Sequence, residues 1–224
     1  MPLLKLQAEP ESIEFDLSRT AFVVVDMQNA FLSQGGYFDL LGYDISASRK
    51  TIGPCQALIG PARKKGARII YLQMGYSPDL SDTGGPDSPG WRKSKALNLI
   101  QDRPAMKEKL YIYGTWGAEI IEELKPQEGD VVVKKQKHDG FIGTNLEIVL
   151  KTYDIRYLFF VGVATNICVE STLRHAFSLG YFCILVSDAV NQMGPGSNQE
   201  ATLANVRSTF GWVTTAEKFL HAIR

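Results

Sequence analysis

Short runs of apolar residues recur along the chain, and β-branched side chains are common in them. Continuous runs of this kind are typical of strands that are buried on both faces, as in parallel sheets. The sequence predicts five such strands, at Ala21–Asp26, Ala67–Gln73, Asp130–Lys135, Tyr157–Val163 and Phe182–Ser187.

Amphipathic, helix-like patterns lie between these runs. Helices are predicted at Ile52–Lys65, Ala118–Leu124, Thr144–Thr152, Thr165–Leu179 and Asn198–Thr209. Thr144 and Glu147 have the spacing of a capping box. Because strands alternate with helices, we expect right-handed crossovers and a doubly wound parallel sheet of the α/β class.

One long segment, residues 75–116, does not follow the alternation. It is rich in proline and glycine, and it contains Trp91 and Trp116. A connection of this length is usually functional or disordered, and the aromatic residues argue against disorder. We therefore expect the segment to cover a substrate or to contact another subunit, as an excursion from a single domain over residues 1–224.

The overall charge and composition argue against several classes of partner. Lys+Arg and Asp+Glu each number 24, so the formal net charge is zero, and no basic surface for nucleic acid or an anionic membrane is expected. No apolar run approaches the ~18–20 residues of a membrane span, and the first residues lack a secretory signal. Three cysteines cannot form a full disulfide set, which favours a protein of the reducing cytoplasm.

Three reactive residue types fall at predicted strand ends. Asp26 ends the first strand, Lys134 and Lys135 end the third, and Cys168 follows the fourth within the first turn of a helix. Parallel sheets bind ligands at this edge. Each residue alone has a structural explanation: a helix cap, a solvated charge or a buried apolar thiol. Their coincidence favours a shared site. Neighbouring strand residues point to opposite faces, so only one of the two lysines faces Asp26, and spacing does not choose between them.

The three residue types suit nucleophilic catalysis. A thiol is mostly protonated at neutral pH, and a helix N-terminus or a nearby ammonium lowers its pKa. Asp26 is a candidate general base that later protonates a leaving nitrogen. Backbone N–H groups of Ala164 and Cys168 are candidates for an oxyanion hole, a feature often worth ~3–4 kcal/mol.

Longer motifs carry a family resemblance. The stretches VVVDMQNAF, VVVKK and GVATNICVESTLRHAF resemble the isochorismatase-like cysteine hydrolases across nearly the whole chain. The resemblance implies a Rossmann-like three-layer α/β/α fold with a largely parallel six-stranded sheet, and a homo-oligomer, either a dimer or a tetramer. It also implies a catalytic triad of Asp26, Lys135 and Cys168, and a cis peptide between Val163 and Ala164.

Further stretches narrow the match. A resemblance to the ureidoacrylate amidohydrolases of pyrimidine degradation is carried by GGYFDLLGYD, GGPDSPGWRKSKAL, GTWGAEIIEEL and TFGWV. Those enzymes act on a small-molecule substrate and release carbamate from its terminal ureido group. Alternatives are a biuret, triuret or other N-carbamoyl amide hydrolase and, in a different class, a non-catalytic binding protein. Nicotinamidases of the superfamily bind a metal through histidines after the second strand, but 73–82 contains none, so we expect no metal or other cofactor.

Several residues are weaker candidates for substrate contacts. They are Asn29, Tyr37, Gln73, Trp91, Ser94, Trp116 and Asn166. The aromatic residues among them suit a subunit interface equally well, and Gln73 suits a polar strand end. Of the histidines, we expect neither His138 nor His175 to be catalytic, and we expect Cys55 and Cys183 to pack in the core.

Overall fold

The computed structural model describes residues 3–224. Its strands are β1 (Leu4–Leu6), β2 (Ile13–Phe15), β3 (Thr20–Val25), β4 (Arg68–Met74), β5 (Val131–Lys135), β6 (Tyr157–Val163), β7 (Phe182–Asn191) and β8 (Trp212–Thr214). Its α-helices are α1 (Asn29–Leu32), α2 (Tyr37–Leu40), α3 (Ile45–Arg49), α4 (Ile52–Lys64), α5 (Pro89–Lys93), α6 (Lys95–Asp102), α7 (Leu146–Thr152), α8 (Glu170–Ser178), α9 (Gly196–Asn205) and α10 (Ala216–Ala222).

Six strands form one sheet in the order β5-β4-β3-β6-β7-β8, and every neighbouring pair is parallel. β1 and β2 form a separate antiparallel pair. The α/β class and the parallel six-stranded sheet are thus confirmed. The strand order reverses between β3 and β6, and ligands bind outside the carboxyl ends of the strands at such a switch point.

The two faces of the sheet carry separate apolar clusters, because alternate residues of each strand point to opposite sides. Phe22 and Phe159 pack on one face with Phe15 of β2 and Phe219 of α10. On the other face, the strands pack against residues of α7 and α8, such as Leu173. Helices therefore cover both faces, which gives the predicted three layers.

The element boundaries show where the sequence pattern was misleading. The predicted helix at Ala118–Leu124 is wrong: Trp116–Ala118 and Glu122–Leu124 are two separate 3-10 turns. The capping box is also wrong, because α7 begins at Leu146 and the Thr144 hydroxyl accepts a hydrogen bond from the Leu146 amide, 3.1 Å away. Glu147 instead pairs with Lys151 one turn later.

Two predicted helices change character along their length. Thr165–Val169 is a wide π-helical turn that leads into α8, and Val206–Phe210 is another that follows α9. The last predicted strand continues beyond position 187 to Asn191. Within residues 3–224, no helix is long and apolar enough to cross a membrane.

The segment 75–116 contains ordered elements. It includes α5, α6 and a 3-10 stretch, Pro104–Lys109. Ser88 and Ser94 begin the two helices, where their hydroxyl oxygens accept hydrogen bonds from the amides of Trp91 and Leu97. Leu97 and Ile100 of α6 are buried in the same apolar cluster as α4, so the segment packs on the domain.

Candidate active site

Asp26 lies directly after β3, in a left-handed backbone conformation with a φ of 51°. Its carboxylate is almost completely buried and is held from two sides. Oδ1 accepts a hydrogen bond from the Met74 amide at 3.1 Å, and Oδ2 accepts one from Lys135 Nζ at 2.8 Å. The ends of β4 and β5 therefore fix the carboxylate at the switch point.

Lys135 is the last residue of β5, and its side chain is fully buried. Its Nζ also donates to the Lys137 carbonyl oxygen at 3.2 Å. Lys134 points the other way, is exposed, and places its Nζ 4.7 Å from the centre of the Tyr113 ring. Burial lowers the pKa of Lys135, but the charge of Asp26 and the hydrogen bonds to Asp26 and Cys168 outweigh it and hold the pKa above its ordinary value of 10.5. Lys135 is therefore the cation that faces Asp26.

Cys168 lies in the π-helical turn between β6 and α8, and only 7% of its surface is exposed. Burial raises the pKa of its thiol, the positive charge of Lys135 lowers it, and the negative charge of Asp26 raises it. The net shift is upward, so the expectation of a lowered thiol pKa is wrong for the free protein. The Asp26–Lys135 pair is close to neutral as a unit, and it does not offset the loss of water around the sulfur.

The backbone before Cys168 runs unusually close to β3. Gly162 has a φ of 107°, and a Cβ atom on it would lie 2.2 Å from the Val25 carbonyl oxygen. Only glycine fits this approach without movement. The next peptide bond, between Val163 and Ala164, is cis.

These residues open into a cavity of about 370 Å³. Asp26 and Cys168 line it together with Val163 and Ala164. Its walls are mainly aromatic and apolar: Phe31, Tyr37, Phe38, Met74, Tyr76, Tyr111, Ile167 and Met193. Burial raises the pKa of Tyr37 to about 12, so its hydroxyl stays protonated at neutral pH. Exposed lysines at positions 93, 95 and 137 line the outer part.

Two of the seven residues suggested for substrate contacts line this cavity, Tyr37 and Ser94. Gln73 instead donates its amide to the Ala118 carbonyl oxygen at 2.8 Å. Trp91 is partly buried against the core.

The remaining candidates have local partners. Asn29 donates its side-chain amide to the Trp116 carbonyl oxygen at 2.9 Å, and the Trp116 indole lies against Lys109. Asn166 exchanges hydrogen bonds with the backbone of Met193, so it orients a wall residue and does not itself line the cavity.

His138 is the site neighbour that the sequence reasoning set aside. Its Nδ1 lies 3.4 Å from Cys168 Sγ, and the residue lines the cavity. The available signal was its position three residues after Lys135, on the loop that leaves the strand end. His175 contacts Asp139 at 2.6 Å, away from the sulfur. Cys55 and Cys183 are fully buried among apolar residues, on opposite faces of the sheet.

Among residues 3–224, no group of three or more His, Cys, Asp or Glu side chains is arranged to hold a metal ion.

Known proteins resemble this chain in sequence and in fold. The model of the isochorismatase domain matches residues 20–218. The chain is 45% identical over 221 residues to the ureidoacrylate amidohydrolase RutB of Klebsiella pneumoniae, covering 99% of this chain and 94% of that protein. It is 46% identical over 220 residues to the protein of the same name from Agrobacterium fabrum, covering 98% and 96%.

Solved structures agree. A cysteine hydrolase from Pseudomonas syringae superposes with a TM-score of 0.78 at 28% identity, covering 100% of this chain and 97% of that one. N-carbamoylsarcosine amidase from Thermoplasma acidophilum superposes with a TM-score of 0.66 at 27% identity, covering 89% and 97%. By its matched domain and its near full-length relatives, the chain belongs to the isochorismatase family.

Proposed function

We propose that this protein is an amidohydrolase that cleaves the terminal ureido group of ureidoacrylate through a thioester on Cys168. The observation that carries the proposal is the buried Asp26–Lys135 ion pair beside Cys168, where Asp26 and Cys168 both line one cavity. The near full-length similarity to proteins named for this activity supports the substrate.

The reaction begins with a protonated thiol. Asp26 takes the proton from Cys168 as the sulfur attacks the ureido carbon. At neutral pH the thiolate therefore forms when substrate is in place, whereas in the free protein it forms only as the pH is raised. This order suits the raised thiol pKa of the free protein. Lys135 holds the carboxylate in position and offsets negative charge that develops on sulfur and oxygen.

Asp26 then returns the proton to the leaving nitrogen. The C–N bond breaks, aminoacrylate leaves, and a carbamoyl thioester remains on Cys168. Water attacks the thioester with Asp26 as general base, and carbamate is released. Backbone N–H groups of Ala164 and Cys168 are the proposed oxyanion donors, since both residues line the cavity.

The outer lysines favour an anionic substrate. Lys95 Nζ is held by the Tyr43 hydroxyl at 2.8 Å. Within residues 3–224, neither Lys93 nor Lys137 forms a salt bridge, so both are free to pair with the carboxylate of a ureido acid. Biuret has no carboxylate, and this charge pattern gives it no equivalent contact.

An N-carbamoyl amino acid is a second candidate, because it also joins a terminal carbamoyl group to a carboxylate. The similarity to N-carbamoylsarcosine amidase supports it. Ureidoacrylate is planar and conjugated, whereas an N-carbamoyl amino acid has a tetrahedral carbon. Several of the residues that line the cavity are aromatic, and aromatic side chains stack well on a planar, conjugated acid.

The test is ammonia release by purified protein from ureidoacrylate, N-carbamoylsarcosine, biuret and a plain amide, with Cys168→Ala in parallel. We expect ureidoacrylate to give the highest kcat/KM and the variant to give none. A higher kcat/KM for biuret would overturn the substrate assignment, and full turnover by Cys168→Ala would overturn the mechanism.

We also propose a cytoplasmic homo-oligomer. Free Cys55, Cys168 and Cys183 suit a reducing compartment. The partly exposed Trp116, next to the segment's end, offers an apolar surface for a second copy. Light scattering on the purified protein tests this, and a monomer mass at micromolar concentration would contradict it.

A further inference from the structure

His138 occupies a position that the reaction above leaves unused. Its Nδ1 lies 3.4 Å from Cys168 Sγ, within hydrogen-bonding distance of a sulfur atom. Asp26 and Lys135 approach the site from the ends of β3 and β5, whereas His138 belongs to the loop that follows β5. The sulfur therefore has an imidazole neighbour in addition to the buried ion pair.

The loop that carries His138 is tied to the turn and helix that carry Cys168. The Gly140 amide donates to Thr172 Oγ1 at 2.9 Å, and Thr172 Oγ1 donates to the Cys168 carbonyl oxygen at 2.7 Å. A Cβ atom on Gly140 would lie 2.5 Å from Leu72, so the loop packs closely there. These contacts fix the loop without using the His138 side chain.

A second tie lies one residue beyond His138. Asp139 contacts His175 Nδ1 of α8 at 2.6 Å, and its other oxygen accepts a hydrogen bond from the Phe141 amide at 2.8 Å. The His175 ring also packs against Phe141, with ring centres 4.8 Å apart. The imidazole of His138 is thus presented to the sulfur by a loop that is anchored on both sides of Gly140.

The charges around the ring decide its chemical role. Lys135 and Lys137 are positive, Asp26 is negative, and Lys93 and Lys95 line the outer cavity. His138 is exposed, but the loss of water around the side of its ring that faces the site and the charge of Lys135 lower its pKa. An imidazolium beside the Lys135 ammonium would be repelled, so the ring acts as a neutral hydrogen-bonding group and leaves the proton transfer to Asp26.

We propose that His138 is a further catalytic residue, which donates a hydrogen bond from Nδ1 to Cys168 Sγ and stabilises the thiolate. The proposal rests on the proposed function only in taking Cys168 as the nucleophile.

The contribution falls at the two moments when sulfur carries negative charge. In the first, Asp26 removes the thiol proton as attack begins. In the second, water attacks the carbamoyl thioester: the new O–C bond forms, the C–S bond breaks, Asp26 takes the water proton, and sulfur leaves as the thiolate. The thiolate then recovers the proton from Asp26. A donor to the leaving sulfur speeds this second step.

Alkylation by iodoacetamide reads the thiolate directly and needs no substrate. Cys55 and Cys183 are fully buried, and the Cys168→Ala variant gives the background. The rate is measured against pH for the wild type and for His138→Leu, His138→Asn and His221→Leu. Leucine removes the donor, and asparagine retains a side-chain amide in place of the near ring nitrogen. His221 is an exposed histidine of α10 and serves as the matched control.

We expect His138→Leu to move the alkylation midpoint about one pH unit higher, the size typical of a hydrogen bond to a charged group. His138→Asn should restore most of the shift, and His221→Leu should leave the midpoint unchanged. In turnover, His138→Leu should lower kcat about tenfold with KM unchanged. An unshifted midpoint in His138→Leu, or equal shifts in the leucine and asparagine variants, would overturn the proposal.

The outcome separates this proposal from the proposed function. A His138-dependent midpoint together with no hydrolysis of ureidoacrylate would reject the substrate and retain the role of His138. Hydrolysis of ureidoacrylate that depends on Cys168, together with an unshifted midpoint, would retain the proposed function and reject the role of His138.

Discussion

Two regions of the molecule line the same cavity but are built differently. The strand-end site (Asp26, Lys135 and Cys168) lies at the carboxyl ends of parallel strands, and its side chains are buried and fixed by neighbouring backbone. The segment 75–116 contributes Tyr76, Tyr111 and exposed lysines from short helices and turns. From this difference we propose that the sheet positions the reacting residues, while the segment contributes to the choice of substrate.

The largest effect should come from the sulfur. Replacing Cys168 with alanine removes the nucleophile, so we expect kcat to fall by about 10⁴-fold or more. Cys55→Ala is the matched control, because Cys55 is a buried thiol of the core and makes no contact with the cavity. Ammonia release measures both. Comparable losses in the two variants would mean that the sulfur at 168 has no special role.

Removal of the base should have the next largest effect. Asp26→Asn keeps the shape of the side chain but cannot accept the thiol proton, so we expect kcat/KM to fall by about 10²–10⁴-fold. The steady-state rate with ureidoacrylate measures this loss. A near wild-type kcat/KM in Asp26→Asn would show that Asp26 is not the general base.

The same ion pair should also stabilise the fold. Lys135→Met leaves the Asp26 carboxylate buried without its cation, and breaking a buried pair costs about 3–5 kcal/mol. Urea denaturation measures the change in the free energy of unfolding. Lys151→Met, which breaks an exposed pair with Glu147, is the control and should change stability little. Equal losses in the free energy of unfolding of the two variants would show that the buried pair stabilises the fold no more than the exposed pair does.

Alkaline pH gives a further test of that pair. The folded-state pKa of Lys135 lies above 10.5, so its stabilising contribution is complete below pH 10.5 and is lost as pH rises through the folded value. We therefore expect the stability difference between wild type and Lys135→Met to persist to about pH 10. A difference that disappears between pH 7 and 9 would contradict the raised pKa.

The smallest effects should come from the segment and from the cavity rim. Lys93→Gln and Lys137→Gln each remove one charge near a bound carboxylate, so we expect KM for ureidoacrylate to rise about three- to tenfold with kcat nearly unchanged. Lys134→Gln is the control, since that lysine lies against Tyr113 and does not line the cavity. A fall in kcat in Lys93→Gln or Lys137→Gln would contradict the proposal that these lysines contribute only to substrate binding.

The predictability of the two regions differs for physical reasons. Buried parallel strands leave a continuous apolar signal, and the residues that follow them must meet at one edge. Asp26, Cys168 and the pair of Lys134 and Lys135 were predicted as candidates in this way. The choice of Lys135 over Lys134 required either the family resemblance or the structure. The alternation of side chains along a strand places the two lysines on opposite faces of the sheet, but it does not show which of them faces Asp26.

The cavity walls depended on contacts that sequence does not encode locally. Gln73 and Asn29 are polar residues near the site, but both are used to hold Ala118 and Trp116 in place. Tyr111 and Met193 reach the cavity from irregular chain, where no period indicates direction. The position of His138, three residues after Lys135, was a weak signal in the sequence, and its distance from the sulfur is what reveals the contact.

The most direct test of the account is detection of the acyl-enzyme. Wild-type protein is mixed with ureidoacrylate and quenched in acid during the first turnovers, and its proteolytic peptides are analysed by mass spectrometry. The account predicts one added carbamoyl group on the peptide that contains Cys168, absent without substrate and lost on longer incubation. Full turnover with no carbamoyl group on Cys168 at any quench time, under conditions that preserve a model carbamoyl thioester, would contradict it.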